Sequence, residues 1–286
     1  MLIGIIIVTY NSDIARLELI LTSLEGQGLK YFISDNSTDF EKKSAIQNIC
    51  NKLNASFIDM HGNMGIAKAQ NDAILMALRE GCDDVLLLDD DSLPSPDMLN
   101  KLLDARKLLF NKMGTMPVVC SNAIAENGQS LSHFQKPVID GIFTYRDMIS
   151  SGTLINKSIL DLVGLHEEEL FIDCVDYEWG WRAANLGVNI VIVQNAVLNH
   201  RLGNGRVKAI NAGYGAPIRH YYQYRNILYM MCRNYVPLSW RVSQFFKLLI
   251  KPVVIIVFFD KKITRLKYVF QGVSAFIRKQ YGNIGS

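Results

Sequence analysis

The chain lacks the features that would place it in several common classes. Its five cysteines (Cys50, Cys82, Cys120, Cys174 and Cys232) are scattered, with no Cys-x-x-Cys pair and no even framework. That argues against a disulfide scaffold or a cysteine zinc site and fits buried thiols in a reducing compartment. There is no internal repeat and no low-complexity linker. Charged residues make up only 20% and hydrophobic residues 49%, which excludes a disordered chain and supplies an ample core for 286 residues. The longest apolar run of the C-terminal tail, Pro252–Phe259, falls far short of the ~20 residues a membrane span needs. The opening segment Leu2–Val8 has no basic flank and no export cleavage pattern, so it is expected to be a core strand rather than a signal peptide.

Acidic residues are also scarce at one end. From Arg241 onward there are nine Lys/Arg and one acid, Asp260, so this tail carries +8. The first 240 residues, with 21 basic and 26 acidic side chains, carry −5. A basic, aromatic-rich tail on an acidic body suggests attraction to an anionic surface. The tail reads as an interfacial helix pair over Trp240–Phe259 and Thr264–Lys279, with helices packed on the protein itself as the alternative.

What is present is a βαβ alternation. Strands are expected at Ile3–Thr9, Tyr31–Ser34, Ser56–Asp59, Val85–Leu88 and Pro117–Cys120. Helices are expected near Ile14–Leu24, Glu41–Lys52, Ala67–Arg79 and Pro96–Leu109. Gly152 to Arg182 reads as loop, helix and loop before a helix containing Asp176–Asn185, and Val188–Val193 as a strand ending near His200. Continuous apolar strands imply a mostly parallel sheet with helices on both faces, which binds ligands at the carboxyl ends of its strands. Polar clusters fall at those ends: Thr9-Tyr10-Asn11, Asp35-Asn36-Ser37, His61-Gly62-Asn63 and Asp89-Asp90-Asp91. Four in succession point to a single ligand edge.

An Asp-x-Asp at a strand end can offer two hard oxygen ligands to Mg²⁺ or Mn²⁺, an ion most useful when it bridges a diphosphate. A separate carboxylate, from Asp176 or Glu178, can then act as general base. The pairing suggests group transfer from a nucleotide-diphosphate donor.

These pieces, in this order, resemble glycosyltransferase family 2 enzymes of the GT-A fold, and among them bacterial rhamnosyltransferases of surface polysaccharide (O-antigen, lipopolysaccharide). The matching segments are Val8-Thr9-Tyr10-Asn11, Asp35-Asn36-Ser37, Gly62–Ala67, Leu88–Ser92, Asp176-Tyr177-Glu178-Trp179 and Asn199–Gly203, covering roughly residues 1–230. The resemblance implies a GT-A domain over 1–235 with a basic helical segment over 236–286. It implies a donor pocket from Thr9, Tyr10, Asn11, Asp35, Asn63, Gly65 and Asp89, with Asn63 and Gly65 in a loop over the nucleotide. It also implies Asp91, His200 and Asp89 at the metal, Asp176 as base with Glu178 as runner-up, and Arg201, Arg206, Arg219 or Arg225 on phosphate.

Two departures stand out. Asp90 is acidic where the family often has a neutral residue, and is expected to face solvent. Val175 precedes Asp176 where many members carry Glu. The expected reaction is inverting transfer, favouring dTDP-L-rhamnose, to a lipid-linked glycan at the cytoplasmic face of the inner membrane. Alternatives are a UDP-galactofuranose or other UDP-hexose donor. A sugar nucleotidyltransferase would have a Gly-rich basic loop where Tyr10–Asp13 stands, and no nucleic-acid module is present.

Overall fold

The computed structural model describes residues 1–24, 28–125, 128–200, 206–207, 212–213 and 215–284. The first half builds four strands, β1 (Ile3–Thr9), β2 (Leu29–Asp35), β3 (Ser56–Asp59) and β4 (Asp84–Asp89), connected by α1 (Ile14–Ser23), α2 (Phe40–Lys52) and α3 (Ile66–Arg79). Their pairing β3-β2-β1-β4 is parallel throughout. Alternation explains why both faces are covered. Ile3, Ile5, Ile7, Leu86 and Leu88 pack with α1 and α2, whereas Ile6, Phe32, Val85 and Leu87 pack with α3. Burying one such side chain contributes about 1.5–3 kcal/mol. Caps set the entries: Asp13 accepts from Ala15 N and Arg16 N, and Asp39 from Glu41 N and Lys42 N.

The second half departs from the expected pattern. It contains β5 (Ser92–Pro94), α4 (Met98–Met113), β6 (Val118–Ala125), β7 (Pro137–Ile139), β8 (Ile142–Thr144), β9 (Thr153–Asn156), α5 (Lys157–Val163), α6 (Val175–Asn185) and β10 (Ile190–His200). The sheet runs β3-β2-β1-β4-β9-β6-β10-β8-β7, with β5 on β10. It is mixed rather than mostly parallel, because β9 lies antiparallel between β4 and β6, and β5, β7 and β8 also pair antiparallel. The missed strands are only three or four residues long, too short to show a period. A short hairpin, β11 (Arg206–Val207) with β12 (Ala212–Gly213), follows.

The chain closes with α7 (Arg219–Met231), α8 (Leu238–Phe258) and α9 (Lys262–Ile277). Leu248, Ile255, Phe259 and Val269 cluster on Tyr224, whose hydroxyl donates to Leu248 O at 2.8 Å. At Gly272 a Cβ would sit 2.4 Å from Tyr221 O, so only glycine lets α9 cross α7 this closely. Arg225, fully buried, donates to Gly282 O (2.6 Å), Glu169 O (3.1 Å) and Leu170 O (3.0 Å), tying the C-terminal end to the segment before α6. Among the described residues no helix is long and apolar enough to cross a membrane.

Candidate active site

The carboxyl ends of β1, β2 and β4 meet in register: Thr9 pairs with Asp35 and Val8 with Asp89. Thr9 and Asp35 are both fully buried, and the Thr9 hydroxyl donates to Asp35 Oδ1 at 2.8 Å. The Ser37 hydroxyl donates to the same oxygen at 2.6 Å, while Asp35 Oδ2 is buried without a partner. Thr9 therefore orients Asp35, and one carboxylate oxygen is left buried without a partner. Asn11, at φ +51°, donates from its N to Ser37 Oγ (2.8 Å) and accepts from Thr38 N and Asp39 N, both at 3.1 Å. Its side chain shapes the turn, and Tyr10 stands half exposed beside it.

The Asn63–Gly65 loop is clipped from within. Asn63 Oδ1 accepts from Gly65 N, and Asn36 accepts from Met64 N and donates to Gly65 O. Gly65 has φ +86°, and a Cβ there would lie 2.6 Å from Phe171. Its freedom thus serves the approach of the Phe171 segment as well as the turn.

Asp89, Asp91 and His200 form one cluster whose ligand atoms lie within 4.8 Å of one another. The cross-strand register places His200 opposite Ser92, and Ser92 Oγ lies 2.7 Å from His200 Nδ1. Asp91 Oδ1 is 3.5 Å from the same nitrogen. Arg16 on α1, which sequence reasoning passed over, donates to Asp91 O (3.1 Å) and Asn199 O (3.4 Å) and so ties the two strand ends together. Asp90 is not solvent-facing as expected: its carboxylate accepts from the Ser12 hydroxyl, and burial raises its pKa. Burial, then repulsion from Asp91, Asp90 and Asp176, pushes Asp89 up to about 7. Two carboxylates and an imidazole converging where negative charge crowds is a donor set suited to a divalent cation.

Asp89 and His200 line a cavity of about 400 Å³ with Gln70, Ser151, Asp176 and Arg219. Asp176 opens α6, where Tyr177 N donates to its Oδ1 at 2.9 Å. Burial raises its pKa to about 6, against the lowering effect of the helix-start N–H groups. The lead-in is strained: Phe171, Asp173 and Cys174 all have φ between +63° and +68°. Asn226 on α7 holds it, its Nδ2 contacting Leu170 O, Ile172 O and Asp173 O at 2.7–2.9 Å.

Glu178 is not brought to this cavity. Two residues along the helix it faces the opposite side, buried, bound by Arg182 at 2.7 and 2.8 Å and by the Tyr235 hydroxyl at 2.7 Å. That corrects its place as runner-up base. Arg225, spent on backbone carbonyls, is likewise no phosphate ligand. Arg201 lies outside the described residues, and of Arg206 only the backbone is described. Arg219 does line the cavity, paired with Asp173 at 2.6 Å. Gln70 was missed as well: it is buried on α3 with Oε1 unpartnered at the cavity, a role that no spacing signals.

The family model for glycosyl transferase family 2 matches residues 4–107. Of solved structures, Staphylococcus aureus TarS 1–349 in complex with UDP-GlcNAc superposes with a TM-score of 0.62 at 16% identity, over 97% of this chain and 81% of that one. GalNAc-T7 with UDP, GalNAc and Mn²⁺ gives 0.57 at 12% identity, over 71% and 44%. Of the longer TarS chain this chain spans 40%, with a TM-score of 0.56 at 18% identity over 82% of its own length. These three establish the GT-A-like fold alone. The dTDP-rhamnosyl transferase RfbF of Shigella flexneri is 32% identical over 278 residues, 92% of this chain and 90% of its own. With so much of both sequences aligned, and the family's motifs gathered along one sheet edge, the chain belongs to glycosyltransferase family 2.

Proposed function

We propose that the enzyme is an inverting, metal-dependent rhamnosyltransferase, moving L-rhamnose from dTDP-rhamnose to a lipid-linked glycan in surface polysaccharide assembly. The observation that carries it is one cavity flanked by the Asp89–Asp91–His200 cluster and by a separate, ionisable Asp176. The choice of donor is supported by the likeness to the Shigella flexneri enzyme. Thr9, Tyr10, Asn11, Asp35, Asn63 and Gly65 hold the nucleotide along the strand ends. Asp176 takes the proton of the acceptor hydroxyl as that oxygen forms a bond to the anomeric carbon. The bond from that carbon to the diphosphate oxygen breaks on the opposite face, so one displacement inverts the centre. Asp91 and His200, with Asp89, would hold Mg²⁺ or Mn²⁺, which would supply Lewis-acid stabilisation to the departing diphosphate. Arg219 at the cavity adds a guanidinium suited to phosphate oxygens. The reading sets the enzyme at the cytoplasmic face of the inner membrane, in keeping with five unpaired cysteines.

The test is a panel of dTDP- and UDP-sugars, assayed for hydrolysis and transfer with Mg²⁺, with Mn²⁺ and with excess chelator. Turnover of dTDP-rhamnose above the other donors, lost on chelation, is the expected outcome. Preference for a UDP-hexose would overturn the donor assignment, and full activity in chelator would overturn the metal.

A further inference from the structure

The C-terminal helix pair has one face packed and another with no partner. α8 turns Leu248 and Ile255 inward onto α7. Its other side carries Val242, Phe246, Leu249, Ile250, Val253 and Val257, each 48–60% exposed. At 100° per residue these six fall within an arc of about 100°, a continuous apolar stripe along the helix. α9 follows after a three-residue turn and adds Ile263, Phe270 and Ile277, spaced two turns apart and 71–85% exposed. Six apolar side chains exposed together on one helix face are more than the singly scattered ones that a soluble surface ordinarily carries.

The border of the stripe is cationic. Lys247, Lys261, Lys262, Lys267, Arg278 and Lys279 are all exposed. The single acid of the two helices and their turn, Asp260, is held by Arg265 at 2.6 Å. Apolar side chains in the middle with lysines at the edge is how a helix lies in a headgroup layer, its aliphatic stems along the lipid and its charges among phosphates. A two-fold pairing of two copies through the same face would set these cations against one another, which disfavours self-association. The opposite side of α8 approaches the cavity. Lys251 bonds Gln223 there and lies within electrostatic reach of Asp173 and Arg219 at the cavity rim.

The geometry points to the outer face of α8, extended by α9, as a docking surface for an anionic lipid bilayer, on which the protein lies without crossing. On this inference the two expected readings of the tail, interfacial helix and packed helix pair, describe opposite sides of one element. The inference holds whatever the donor sugar, and its test needs no catalysis.

The full chain is floated with vesicles of phosphatidylcholine alone and of phosphatidylcholine mixed with phosphatidylglycerol, across a salt series. Binding should favour the phosphatidylglycerol vesicles and weaken with salt. Replacing the exposed Phe246, Ile250 and Val253 by Ser should lower partitioning roughly a hundredfold. Lys261→Gln with Lys262→Gln should lower it roughly thirtyfold on anionic vesicles, with little change on neutral ones. Circular dichroism and melting temperature, unchanged in both variants, verify that they remain folded. Absence of flotation with anionic vesicles at low salt would overturn the inference. So would retained flotation of the triple variant, or a concentration-dependent dimer in sedimentation velocity that the triple variant abolishes, which would mark a self-interface.

Discussion

The two sides of the cavity are built on different principles. The Asp89–Asp91–His200 side stands on strand ends whose positions follow from ladder register, braced by Arg16 across Asp91 and Asn199. The Asp176 side stands on a loop with three positive-φ residues, Phe171, Asp173 and Cys174, held open by carbonyl hydrogen bonds from Asn226 and Arg225 of a helix about fifty residues further on. A group on a sheet edge keeps its place because many backbone bonds would have to break together. A group on a strained loop keeps its place only while the clamp holds. The Asp89–Asp91–His200 side should therefore tolerate change around it, and the Asp176 side should not.

The sharpest way to break the comparison is at the chemistry itself. Asp91→Ala should remove the main cation ligand and reduce transfer by on the order of 10³-fold or more while leaving the melting temperature nearly unchanged. A variant that transfers normally, or that unfolds, would refute the separation of site from scaffold. On the other side, Asp176→Asn keeps the shape and removes proton acceptance, so turnover should fall ~10²–10⁴-fold with nucleotide binding retained in calorimetry. In the unsubstituted enzyme, turnover should decline as pH falls through about 6, because only the carboxylate of Asp176 accepts a proton.

Asn226→Ala tests the clamp. It removes the side-chain donor from Ile172 O and Asp173 O, while Leu170 O keeps Arg225, and should cost about 2–4 kcal/mol of stability, visible in denaturant titration, together with a fall in turnover larger than any change in donor affinity. A loss of stability with turnover intact would mean the loop keeps its form unaided. The smallest effect on chemistry is expected at Glu178→Gln. Breaking the buried pair with Arg182 should destabilise by about 3 kcal/mol, yet the folded fraction should transfer at a near-normal rate. Silence of transfer in a fully folded Glu178→Gln would reinstate Glu178 as the base.

The first half of the fold was legible because its signals are local. Ile3–Thr9 and Ser56–Asp59 coincide with the expected strands, and α1 to α3 lie within a residue of the expected helices at each end. Long alternating strands and capped amphipathic helices carry their own period. β5, β7, β8 and β9 do not, and with them went the antiparallel half of the sheet. The Asp-x-Asp segment and His200 were legible as residue types at strand ends. Gln70, Arg16 and Asn226 were not, because each acts through a partner far away in the chain.

By itself, then, the sequence determined the parallel strand unit, the acidic edge where β4 ends and the charge bias of the tail, all of which follow from the order of neighbouring residues. Only the tertiary structure separated the surroundings of Asp176 from those of Glu178. Helical geometry turns one toward the cavity and the other into a pair with Arg182, and composition is the same either way. It decided also that Arg225 holds backbone carbonyls rather than phosphate. And it decided which side of α8 is packed, since burial of Leu248 and Ile255 on α7 is what leaves the opposite stripe facing outward. Such choices depend on which distant segments meet, and the free energy of those meetings belongs to the folded whole.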